Sequence, residues 1–142
     1  MVMASIGPLT DRQSRESAYH KDHAKLVAQT IGCVSHEVVY SVRRRWWNAY
    51  WDVFSYVKSL ELKNKRVLVV GCGAGEDAIR LAKLGAVVDA FDLSPEMLEI
   101  ASQLAAIEGA PVHFSEMSAE MLDYPSDSFD VIFVRDILHH VD

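Results

Sequence analysis

Residues 66–77 read Arg-Val-Leu-Val-Val-Gly-Cys-Gly-Ala-Gly-Glu-Asp, and the fold class follows from them. An apolar run, 67–70, passes directly into Gly71-Cys72-Gly73-Ala74-Gly75, and an amphipathic segment, 78–84, follows at once. The order is strand, tight glycine turn, helix. Glycine accepts positive φ and lets a ligand come close to the backbone. Such a turn delivers N–H groups at a helix N-terminus to whatever lies above it. The stretch therefore predicts a nucleotide-type ligand over the carboxyl end of a parallel strand.

Downstream the pattern repeats. Four consecutive apolar residues in the first strand suggest burial on both faces, as in parallel sheets. Gly85 is placed to end the first helix. Residues 87–91 form a second strand with Asp92 at its carboxyl end. Ser94 and Pro95 then supply an N-cap and a first helical residue. Met97, Ala101, Leu104 and Ala105 give that helix a buried side, and it ends at Gly109. Residues 111–114 read as a third strand, 119–122 as a loop or single helical turn, and 124–128 as a turn. A fourth strand covers 130–134, and 135–142 begins another helix. This alternation is the doubly wound α/β pattern.

Upstream, residues 1–18 are polar and broken by Gly7-Pro8, which predicts loop or a frayed tail. Residues 19–35 form a helix with Leu26, Val27 and Ile31 on its apolar side. In 36–60, apolar residues at Val39, Val42, Trp46, Tyr50, Val53, Val57 and Leu60 fit one face of a single helix, widened by Trp47, Trp51 and Phe54. The basic cluster Arg43-Arg44-Arg45 reads either as an element for nucleic acid or a membrane surface or as the solvated edge of a core-packing helix. The regular stripe favours the second.

The chain has 142 residues and a net charge of −6, a length that predicts one domain. Residues 1–60 carry +3 and residues 61–142 carry −9, so the acidic body argues against nucleic acid as a partner. No apolar run reaches the ~20 residues of a membrane span, and the first nine residues lack a signal-peptide pattern. Two cysteines, Cys33 and Cys72, make no disulfide framework. A reducing, cytoplasmic setting is the expectation.

Two details sort the ligand. A dinucleotide fingerprint would place its third glycine at position 76, where this chain has Glu76. An acid there would repel a pyrophosphate. Asp92 lies 21 residues past Gly71, where a carboxylate can accept hydrogen bonds from both ribose hydroxyls. The alternative for Asp92 is an acid that merely flanks the next helix.

With these residues in place, 67–75 resembles the first motif of the class I S-adenosylmethionine-dependent methyltransferases. Residues 91–98 resemble the second-strand motif of that family, 118–132 its third-strand loop and fourth strand, and 138–142 the segment after it. The resemblance implies an α/β, Rossmann-like sheet in the order 3-2-1-4, here partial, with 1–60 as an N-terminal helical cap and 61–142 as the cofactor-binding domain. It implies S-adenosyl-L-methionine as cofactor. Gly71, Cys72, Gly73 and Gly75 would pass beside its methionine and ribose parts, Asp92 would hold the ribose, and Leu93 would lie against adenine. Ser118, Ala119 and Glu120 would sit at the adenine edge, and Arg135 would line the methionine side with its backbone. The family usually has an acid where this chain has Val69, and often Asp where it has Ser118.

The family's sheet has seven strands, and this chain supplies four. The fourth, apolar and uncharged, would stand at an open edge. That predicts a chain that is part of a longer protein, or a homo-oligomer or second chain that covers the edge. The expected substrate is a small molecule. Methyl transfer leans on proximity and orientation, and its general base, where one is needed, leaves no signature. His139 and His140 are the nearest base candidates in the sequence. His20 and His23, at i and i+3, could share a metal but lack a visible third ligand. The competing functions are a binding module without transfer activity and a nicotinamide oxidoreductase, which Glu76 disfavours.

Overall fold

The computed structural model describes residues 8–30, 32–40, 50–138 and 141. A four-stranded parallel sheet carries the chain, in the order β3-β2-β1-β4. Its strands are β1 (Arg66–Val70), β2 (Val87–Asp92), β3 (Val112–Glu116) and β4 (Val131–Val134). The helices are α1 (Asp11–Thr30), α2 (Glu37–Tyr40), α3 (Tyr50–Ser59), α4 (Glu76–Lys83) and α5 (Pro95–Glu108). The predicted strand order is borne out. β1 lies at the centre, and Val67, Leu68, Val69 and Val70 are all buried.

The two faces of the sheet are finished differently. Val67, Val69, Val88, Ala90 and Phe133 pack with Phe54 and Val57 of α3 and with Ala78 and Leu81 of α4. Phe54 is fully buried and meets Phe133 at 5.9 Å between ring centres. On the opposite face, Leu68, Val70 and Phe91 are roofed by Met117 and, partly, by Tyr124, Phe129 and Ile137. That cover is loop rather than helix. Toward the β4 edge it runs out, and Ile132 is 61% exposed.

Caps set the helix ends as the sequence dictates. Ser94 Oγ accepts from Met97 N, Pro95 opens α5, and Gly109 closes it at φ 60°. Gly85, at φ 93°, follows the last turn of α4.

Several boundaries depart from expectation. Of the predicted loop 1–18, residues 1–7 lie outside the described ones, but α1 already begins at Asp11. Thr10 and Gln13 form a reciprocal capping box that starts it: Gln13 N donates to Thr10 Oγ1 at 3.2 Å, and Thr10 N donates to Gln13 Oε1 at 3.0 Å. α1 also stops at Thr30, so Val34 is buried in a connection rather than in a helix. Of the expected apolar side of α1, Val27 is half-buried and lines a cavity, but Leu26 is not buried. Leu26 is exposed and Ala24 is buried, on a helix that packs against α5. Ile31 lies outside the described residues.

In 36–60 the described parts are α2 and α3; Val42, the Arg43-Arg44-Arg45 cluster, Trp46 and Trp47 lie outside them. Within α3 the core position belongs to Phe54 rather than to its neighbour Val53, since the larger ring buries more apolar area. β3 starts after Pro111, which has no N–H to give a ladder. Asp130 precedes β4, where its carboxylate accepts from Arg66 N at 2.8 Å. The predicted helix over 135–142 does not begin at Arg135, because Asp136 takes φ 56°. His139, His140 and Asp142 lie outside the described residues.

Candidate functional site

A cavity of about 470 Å³ opens above the carboxyl ends of β1, β2 and β4. That volume is in the range of ordinary small-molecule sites. Its floor is the glycine turn, and Asp92 stands at its side. The carboxylate of Asp92 is held from two directions. Gly73 N donates to Oδ2 at 2.7 Å, and Ser94 N donates to Oδ1 at 2.9 Å. A carboxylate offers about four lone-pair sites, so each oxygen keeps capacity for a further donor.

The three glycines do different work. A Cβ on Gly71 would stand 2.7 Å from Ile137 Cδ1, and one on Gly75 would stand 2.7 Å from Ala101 Cβ and 3.1 Å from Phe114 Cζ. Those two positions let the turn press against its neighbours. At Gly73 the nearest atom to such a Cβ is Met97 Cε at 3.6 Å, so steric room is present. What Gly73 requires is its φ of 52°, which aims its N–H at Asp92.

Each residue expected at the cofactor lines the cavity except Gly75, whose surroundings are α5 and β3. Cys72 lies against the site, but burial first, and then the charge of Asp92, push its thiol well above the ordinary range. That shift argues against a nucleophilic role. Val69, where the family usually has an acid, is buried at 3% exposure and belongs to the helix-covered core. The turn is anchored instead by Asp92.

Sequence reasoning missed a buried ionic chain beneath the site. Asp77, 7% exposed, accepts from Arg80 Nη1 at 2.7 Å through Oδ1 and lies 2.9 Å from Arg135 Nε through Oδ2. Arg80 Nε donates in turn to Ser35 O at 2.8 Å, and its guanidinium lies 6.0 Å from the centre of the Phe54 ring. Arg135 Nε also lies 3.8 Å from Asp136 Oδ2, and the residue lines the cavity. The i,i+3 spacing of Asp77 and Arg80 was the available signal.

The second omission is the outer wall. Gln13, Glu16, His20, His23, Val27 and Thr30 of α1 line the cavity. They are spaced three, four, three, four and three residues apart, which is one helix face. Gln13 also ties that wall to the loop after β3. Its Nε2 donates to Ser118 Oγ at 3.1 Å and to Glu120 Oε2 at 2.8 Å. Farther along, Lys21 lies 3.7 Å from Glu96 at the start of α5. The pair His20 and His23 does share the site. Among the described residues, however, no group of three or more potential ligands could hold a metal. No helix among them is long and apolar enough to cross a membrane.

Comparison with known proteins agrees with this geometry. A family described as a methyltransferase domain matches residues 67–142, more than half of the chain. The ubiquinone biosynthesis O-methyltransferase of Haemophilus ducreyi is 36% identical over 95 residues, which cover 62% of this chain and 40% of that protein. The crystal structure of YcgJ from Bacillus subtilis is 33% identical with a TM-score of 0.52, covering 57% of this chain and 36% of that one. An S-adenosylmethionine-dependent methyltransferase from Mesorhizobium loti is 26% identical with a TM-score of 0.51, covering 62% of this chain and 40% of that one. The chain spans less than half the length of each of these proteins.

Proposed function

Because this chain belongs to the family of methyltransferase domains, we propose that it binds S-adenosyl-L-methionine over the glycine turn and passes the methyl group to an oxygen of a small molecule. The carrying observation is Asp92, pinned by Gly73 N and Ser94 N with acceptor capacity left over beside a nucleoside-sized cavity. The residues present fit that cofactor. Asp92 would take the ribose hydroxyls, Leu93 would lie on the adenine, and Ser118, Ala119 and Glu120 would border it. The backbone of Gly71, Cys72, Gly73 and Arg135 would run along the methionine part, with Gly75 holding the turn against α5. The cofactor supplies an electrophilic methyl; the protein's part is to orient and shield the reacting groups.

In this reading residues 1–60 are the cap and 61–142 the cofactor-binding unit. The hydrogen bonds from Gln13 to the loop after β3 support a cap that closes the adenine end. A cytoplasmic setting and a small-molecule acceptor complete the proposal. A binding module without transfer activity is less well supported, since the relatives named above are methyltransferases. Calorimetry tests the reading. S-Adenosylhomocysteine should bind, NAD should not, and Asp92→Ala should abolish binding. Binding of NAD in its place would overturn it.

A further inference from the structure

Two of the five buried residues of α4, Asp77 and Arg80, are charged; the other three are Ala78, Ile79 and Leu81. A buried ion pair carries a desolvation cost that its own attraction at best offsets, and apolar side chains of similar volume are often as stable in its place. What such a pair can add is register, by fixing which elements meet and where.

The elements joined here include both the cavity wall and a segment away from it. Asp77 and Arg135 line the cavity, whereas Arg80 does not. Arg80 Nη1 donates to Asp77 Oδ1 at 2.7 Å, and Arg80 Nε donates to Ser35 O at 2.8 Å. The other oxygen of Asp77 lies 2.9 Å from Arg135 Nε. Arg80 Nη2 also lies 3.8 Å from Glu76, a further residue of the wall. A single guanidinium, 7% exposed, thus ties the connection between α1 and α2 to the wall beside the glycine turn.

That connection has a second tie, which does not lead to the cavity. Val34 N donates to Glu108 Oε1 at 3.3 Å, and His36 Nε2 lies 2.9 Å from Glu108 Oε2. Glu108 is the last residue of α5 and is not on the cavity wall. Residues 34–36 are therefore fixed twice, once toward the ligand cavity and once away from it.

We propose that Arg80 is a positioning residue for the cavity, acting through Asp77. A ligand seated against the glycine turn and Arg135 restrains Asp77, Asp77 restrains Arg80, and Arg80 holds Ser35. Ligand binding and order in residues 34–36 then favour each other, and by linkage the factor is the same in both directions. This rests on the cofactor reading above. The role calls for a fork: Nε and Nη1 serve two acceptors at once, which the single ammonium of lysine does not reproduce.

The test is amide hydrogen exchange at Val34, followed by NMR on the full chain with and without S-adenosylhomocysteine. In the unaltered protein the ligand should slow this exchange about fivefold or more. Arg80→Lys keeps a charge beside Asp77; there the slowing should vanish, and affinity for S-adenosylhomocysteine should fall by a similar factor. His36→Gln loosens the same connection at its other tie. It should speed exchange without ligand, yet keep both the response to ligand and the affinity. A Val34 amide that ignores the ligand in the unaltered protein, or responds equally in Arg80→Lys, overturns the assignment while the cofactor reading stands. Equal losses of affinity in Arg80→Lys and His36→Gln overturn it as well, since they mark general loosening. Failure of S-adenosylhomocysteine to bind the unaltered protein defeats the cofactor reading, and this one with it.

Discussion

The backbone N–H of Gly73 donates to Oδ2 of Asp92 across 2.7 Å, joining the glycine turn to the end of the neighbouring strand. The same carboxylate can therefore shape the turn and receive a ligand. Asp92→Ala should cost at least about a hundredfold in S-adenosylhomocysteine affinity, since charge-assisted hydrogen bonds are worth ~1.5–3 kcal/mol each. Asp92→Asn keeps one acceptor oxygen and should fall between. Calorimetric titration of the three proteins checks the ranking.

Gly73→Ala and Gly75→Ala should fail in different ways. At Gly73 a methyl group has room, so the cost is the left-handed backbone, about 1–2 kcal/mol. The variant should fold and bind ligand weakly. At Gly75 the methyl collides with Ala101 and Phe114, and the total rises to about 2–4 kcal/mol. Thermal denaturation should show the larger drop for Gly75→Ala.

Asp77 lies between two arginines in a nearly dry setting. Removing one partner from a buried pair costs about 3–5 kcal/mol, because the remaining charge is stranded. Asp77→Ala should lower the melting temperature by roughly 10 °C in a domain of this size. Arg135→Ala should do much less harm, as Arg80 still faces Asp77. A double variant, Asp77→Ala with Arg80→Met, should recover part of the loss.

Glu108 lies 2.9 Å from His36 Nε2, and its second oxygen accepts from Val34 N at 3.3 Å. The hydrogen bond from His36 holds the Glu108 carboxyl below its ordinary value of 4.5. A depressed carboxylate contributes stability that is full above the unfolded value and is lost as pH falls through the folded one. Acid titration below about pH 4.5 should destabilise the protein, and His36→Gln should flatten that limb. Denaturant midpoints between pH 3 and pH 6 give the comparison.

Cys33 is exposed, whereas the thiol of Cys72 is driven up by burial and by Asp92. Iodoacetamide at pH 8 should alkylate Cys33 within minutes and leave Cys72 unmodified until the protein unfolds. Intact mass should show one adduct in buffer and two in denaturant.

The parallel sheet, its order and the glycine turn were legible because local signals agree there. The apolar run 67–70, the turn after it, and Ser94-Pro95 each point to the same arrangement. The cap was not. The prediction for α1 looked for an apolar face, but this helix turns a polar face to a cavity and buries mainly Ala24. Thr10 and Gln13 announced its start at capping-box spacing, and Gly7-Pro8 drew the reading toward loop instead. Asp136 shows a second limit. Its positive φ of 56° falls just after β4, and Asp, though enriched at such angles, takes them too seldom to announce the turn.

Gln13 closes the first turn of α1 with its amide oxygen and reaches the loop after β3 with its amide nitrogen. Rotating that one amide away would therefore release the cap on the turn together with both ties to the loop. Helix–coil relaxation takes about 0.1–1 μs, whereas enzymes typically turn over about ten times a second. A latch that loosened on the faster timescale would open many thousands of times within a turnover of that length. Under the methyl-transfer proposal, how long a ligand stays inside would then be governed by its own grip on Asp92 and the glycine turn, and the door would set no clock.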